Sequence, residues 1–191
     1  MFALFGLIAG LLQIVAAIPY IRDILRHKTK PQRSSFGIWA MLGAIAFFSQ
    51  LAKGARWSLF LPAGDFAAVS VGFALSFRYG VGGLSKRDIV SAVVAALGVI
   101  LWLFTKQPLI ALFIIIGIDL IGTALTVAKT YQRPETETLS SWLLASLGGL
   151  FAVLAVGKLD WSLLIYPAYA FVAFGSIAVT ILLGKSRQHA S

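Results

Sequence analysis

Pro31–Gly54, PQRSSFGIWAMLGAIAFFSQLAKG, occurs a second time as Pro134–Gly157, PETETLSSWLLASLGGLFAVLAVG. At a constant offset of 103 residues Pro31 matches Pro134, Trp39 matches Trp142, Phe48 matches Phe151, Leu51 and Ala52 match Leu154 and Ala155, and Gly54 matches Gly157. Self-similarity at a fixed offset is the mark of a duplicated structural unit. It divides the 191-residue chain into two halves.

The surroundings of the repeat are apolar. The chain is 59% hydrophobic and 12% charged, with a mean hydropathy of +0.91; soluble domains carry roughly twice that share of charge. So few polar side chains cannot cover a soluble fold of this size, so lipid is the expected solvent for most of the surface. There is no cysteine, which excludes disulfides and thiolate metal sites, and only His27 and His189 could supply imidazole, both in basic, polar sequence. No metal and no cofactor are expected. The net charge of +9 is scattered between the apolar runs, where basic residues face lipid headgroups and set orientation; nucleic acid is not an expected partner.

Seven apolar runs approach the roughly 20 helical residues needed to cross a hydrocarbon core. They cover residues 2–21, 36–52, 59–77, 89–104, 109–128, 139–156 and 161–183. The first lacks a basic leader and a small-residue cleavage site, and reads as a retained helix. Runs one to three correspond to runs five to seven, with run four left over as a linker. The expected fold is therefore an all-α integral membrane protein of seven transmembrane helices in a 3+1+3 arrangement: a first bundle in residues 1–80, a linker helix in 81–107 and a second bundle in 108–191. The odd helix between them makes the repeat parallel, with both bundles in the same orientation. Twelve Lys and Arg fall in the loops after runs one, three and five and in the tail, against four on the other side. That bias predicts an N-terminus outside and a C-terminus in the cytoplasm of the plasma or inner membrane. The five tryptophans lie near run ends, as interfacial anchors do.

Within the runs the polar residues are few. Asp119 is the most conspicuous, because a carboxylate near mid-bilayer costs about 2.5 to 3.5 kcal/mol on insertion scales and must be protonated, partnered or hydrated. It is a candidate substrate contact or proton carrier; the alternative is a tie between helices. Thr123 lies one turn further on. Asp65 follows Pro62 by three residues in LPAGDF and reads either as a second site or as an interfacial acid. Gln13, mid-run, must face another helix or a cavity, and Gln50 closes run two beside Ser49. Pro62 and Pro167 recur at the outer ends of runs three and seven, as static kinks or as an outer gate. Glu135 and Glu137 occupy a polar loop and read as solvated charges. No Ser-His-Asp, phosphate-loop or H-E-x-x-H arrangement is present, so no catalytic residue is assigned and no enzyme is expected.

Several of these residues carry a resemblance. Pro19-Tyr20 in AAIPYIRDI, the Thr29, Pro31, Ser35 and Trp39 spacing, and its second copy in Thr126, Lys129–Tyr131, Pro134, Thr138 and Trp142 resemble the PQ-loop superfamily, which includes the SWEET sugar carriers. Within it the chain is similar to uncharacterised bacterial membrane proteins. The family's Pro-Gln pair stands here as Pro19-Tyr20, and Gly122 occupies the position matching Pro19. Proline and glycine both weaken a helix, so Pro19, Tyr20 and Gly122 are candidate inner hinge or gate residues. SWEET carriers place an asparagine in the third helix of each repeat, whereas this chain contains none. The resemblance thus implies alternating access between two bundles, with an amino-acid-like or cationic solute favoured over sugar and proton coupling an option. The competing reading is a non-transporting receptor or accessory protein that binds a peptide, lipid or protein. A small-molecule solute and membrane lipids are the expected partners, and self-association is left open.

Overall fold

The computed structural model describes residues 2–52, 60–83, 108–157 and 161–190, with scattered positions between 86 and 104. Six long helices are present among them: α1 (Phe2–Leu25), α2 (Arg33–Ala52), α3 (Phe60–Tyr79), α4 (Pro108–Gln132), α5 (Leu139–Val156) and α6 (Trp161–Ala190). Run four and its linker role lie largely outside the described residues, as do Trp57 and Trp102.

The helices run further than the apolar runs. α1, α4 and α6 each extend about one turn or more into polar sequence. Arg22 and Lys129 sit in the last turns of α1 and α4, where a cation complements the helix dipole. His27 ends α1 in the left-handed region at φ 60°. That turn lets Lys28 and Thr29 donate their backbone N–H to the Asp23 carbonyl, which satisfies the end of the helix. Gly157 ends α5 in the same left-handed region at φ 68°. α1 continues through Pro19, and α6 through Pro167. Pro62 falls in the first turn of α3, where its missing N–H costs no helical bond.

Three described segments are long and apolar enough to cross a membrane: α1, α5 and Leu164–Gln188 of α6. Their side chains are arranged as lipid requires. Leu7 and Ile18 of α1 are 60% and 62% exposed, while Ala9 and Ala16 are buried; in α5 Leu143, Leu147 and Leu154 are exposed, while Ala145, Ser146, Gly148 and Gly149 are buried. Small residues inside and large apolar ones outside is the pattern of helices that associate by close packing where lipid removes the hydrophobic drive between them. These are the features of an α-helical membrane protein.

The chain divides into two compact units, Met1–Thr29 with Thr126–Ser191 and Lys30–Leu125. The boundaries expected near residues 80 and 108 do not coincide with these. In the first unit α1 packs along α5, and α5 along α6. The backbones approach closely at Gly149, where a Cβ would lie 2.6 Å from the Phe171 nitrogen. Pro134, which opens a short 3-10 turn (Pro134–Thr136), rests against Gly184 of α6. In the second unit α2 packs on α3, and Ile38, Met41 and Leu42 of α2 meet Ile114, Ile118 and Ile121 of α4. Its polar loops are strapped together: Arg33 N–H donates to the Val81 carbonyl and Val81 N–H to the Pro31 carbonyl, both at 2.9 Å. The Arg33 guanidinium donates to the Ser76 and Gly82 carbonyls, and the buried Asp88 accepts from Gln32 and from Gly83 N–H.

Each unit is held by hydrogen bonds between residues far apart in the chain. Tyr20, Asp23 and Thr29, from the first half, find their hydrogen-bond partners in Glu137 and Thr138 of the second. Ser35 donates to the Gly122 carbonyl at 2.7 Å. In each unit the second helix of one half therefore meets the first helix of the other.

Candidate functional site

α4 carries Asp119, Gly122 and Thr123 on one face, since residues three and four apart lie on the same side of a helix. Asp119 is the twelfth of 25 residues and is 9% exposed; the Thr123 hydroxyl donates to it across 3.5 Å, a long contact. Gly122 stands where the Trp39 indole closes on the helix: a Cβ there would lie 2.9 Å from Trp39 Nε1. Gly122 is thus a point of close approach inside a continuous helix, which supplies a packing reason for a glycine expected as a hinge. Phe36 meets Trp39 edge-on at 5.3 Å.

The remaining expected site residues divide. Gln13 belongs to the other compact unit, where its amide donates to the Ala145 carbonyl at 3.3 Å and touches Gly148. It ties α1 to α5. Gln50 and Asp65 lie in α2 and α3, and their side chains, with that of Pro62, fall outside the described residues.

A polar cluster gathers around Glu137. Glu137, read from sequence as a solvated loop charge, is 5% exposed. Its Oε1 accepts from the Lys129 ammonium and from the Tyr20 hydroxyl at 3.3 Å, and its Oε2 accepts from the Trp142 indole at 2.7 Å. Beside it the Thr138 hydroxyl donates to Asp23 at 3.2 Å and shares a hydrogen bond with Thr29. Only Glu135 is exposed as expected. The side chains of Lys129 and Glu137 are 8% and 0% exposed, so this is a buried ion pair whose second oxygen and flanking donors are also satisfied, the condition under which such a pair persists. One signal for it is in the sequence: Lys129 sits in the last turn of α4 and Glu137 just ahead of α5, the helix ends that favour a cation and an anion.

Trp142 and Trp39 are also corrected by the structure. Both are buried, at 6% and 9% exposure, and neither is an indole lying free at a lipid interface. Trp142 packs edge-on against Tyr20 at 5.9 Å, while Trp39 packs on Gly122. Tyr20 and Gly122 adjoin or occupy the repeat-matched positions 19 and 122. Each tryptophan thus packs beside the first helix of the other half.

No family model, curated protein or solved structure matches this chain.

Proposed function

We propose that the chain is a small-molecule membrane transporter, in which two parallel three-helix bundles, α1–α3 and α4–α6, rock about a central site containing Asp119. The observation that carries this reading is the Asp119 carboxylate, buried midway along a 25-residue helix. Acids at that depth usually serve pathways, proton relays or ligands, because insertion without a use costs about 2.5 to 3.5 kcal/mol. The internal repeat supports two matched three-helix segments, and the PQ-loop resemblance of the Pro19-Tyr20 and Pro31–Trp39 segments supports alternating access. A single acid and the absence of asparagine favour an amino-acid-like or cationic solute over sugar, with a proton as the coupling ion. The excess of Lys and Arg in the polar loops favours a cytoplasmic polar-loop end.

The test is uptake of a mixed panel of amino acids, amines and sugars into proteoliposomes, with and without a pH gradient. Accumulation of an amine or amino acid that Asp119→Asn abolishes is the expected result. Retention of a protein, peptide or lipid partner with no uptake of any solute overturns it in favour of a receptor.

A further inference from the structure

The Glu137 cluster joins the two halves of the chain, and its bonds are of two kinds. Lys129 and Trp142 belong to the same half as Glu137 and hold its carboxylate by an ion pair and a 2.7 Å bond. Tyr20, Asp23 and Thr29 belong to the other half. They reach across through the 3.3 Å bond from Tyr20 to Glu137, the 3.2 Å bond from Thr138 to Asp23 and the hydroxyl contact between Thr29 and Thr138.

We propose that Glu137 is the centre of a latch that closes the polar-loop end of the protein and releases each time the two halves separate there. The inference rests on the transporter reading, because only a protein whose halves move apart needs the bond to be reversible. The division of bonds suits the role. All three crossing bonds involve a hydroxyl group, and those from Tyr20 and to Asp23 are longer than the Trp142 bond, while the charge is neutralised within its own half. When Tyr20 leaves, Glu137 keeps Lys129 and Trp142, so opening strands no buried charge, which would be the costly outcome. An ion pair placed across the halves would instead weld them. Trp142 contributes twice, fixing the carboxylate through its indole N–H and giving Tyr20 an aromatic edge to return to.

The natural absence of cysteine makes the latch directly testable. Thr29 is 1% exposed, so a single Thr29→Cys reports opening through its labelling rate by a charged thiol reagent added from the polar-loop side of reconstituted vesicles. Labelling is expected to be slow in that background and about tenfold faster when Tyr20→Phe removes one hydrogen bond to a charged acceptor. Glu137→Gln is expected to act in the same direction. A Thr29→Cys/Thr138→Cys disulfide is expected to stop uptake until it is reduced. Unchanged labelling in both Tyr20→Phe and Glu137→Gln, or full uptake with the disulfide closed, overturns the latch and leaves the cluster as static packing. If the parent protein moves no solute yet labelling still follows Tyr20 and Glu137, the transporter reading fails and the latch stands.

Discussion

The Lys129–Glu137 pair offers a quantitative prediction about what holds the first unit together. Lys129→Met leaves a fully buried carboxylate with two neutral donors, Tyr20 and Trp142; Glu137→Gln leaves an ammonium, 8% exposed, facing an amide. Breaking one side of a buried pair costs about 3 to 5 kcal/mol. Because some hydrogen bonds remain to the orphaned partner in both variants, each should fall near the lower end, at about 3 kcal/mol. The double variant Lys129→Met/Glu137→Gln carries no uncompensated charge, keeps a carbonyl acceptor for Trp142 or Tyr20, and fills the space with an apolar chain of similar length. It should be less destabilised than the sum of the singles by about 2 kcal/mol or more, which lies well above the scatter expected for independent sites. Reversible unfolding in mixed micelles, following Trp142 and the other indoles by fluorescence, measures all four corners of the cycle. Additivity within about 0.5 kcal/mol would refute the claim that the pair is buried and mutually compensating.

The glycines that admit close contacts give a ranked series. Gly149→Ala should be more damaging than Gly122→Ala, since its Cβ would meet Phe171 main chain at 2.6 Å while that of Gly122 would meet the Trp39 ring, which can shift; overpacking of this kind typically costs about 1 to 3 kcal/mol, and melting in detergent that reverses the order contradicts the packing described. Pairing Gly122→Ala with Trp39→Phe should recover part of the loss. Ser35→Ala removes the bond to the Gly122 carbonyl and should cost about 1 kcal/mol in the same unfolding assay, with uptake preserved if Ser35 only joins helices. Asp119→Glu should retain some uptake where Asp119→Asn retains none, if the carboxylate carries a proton or contacts a cation; equal activity in the two variants argues for a structural Asp119.

The duplicated stretch and the span of α5 were legible in the sequence, because apolar runs bounded by polar residues and proline report helix limits locally. The further extent of α1, α4 and α6 was not, since hydropathy marks where apolar character ends and the backbone continues as long as its last carbonyls are satisfied, as at His27. The membership of the compact units was likewise hidden. Nothing in the local pattern of Tyr20, Asp23 and Thr29 says that their partners lie more than a hundred residues away. Glu137 was misread for the same reason: a carboxylate in RPETET looks solvated by composition, and its burial depends on α1 arriving beside it. Asp119 is buried, and an ionisable residue in an apolar helix is conspicuous without tertiary knowledge. Gly122 shows the opposite limit. Its flexibility is readable from residue type, whereas its contact with Trp39 depends on the pairing of α2 with α4.

The central claim, that Asp119 lies on a solute pathway, is tested most directly by access to its own position. A single Asp119→Cys in this cysteine-free chain should react with a charged thiol reagent from either face of the membrane, with the rate from one face rising as that from the other falls when the Tyr20–Glu137 contact is weakened. Absence of reaction from both faces in a folded protein would contradict the account and place Asp119 in helix packing alone.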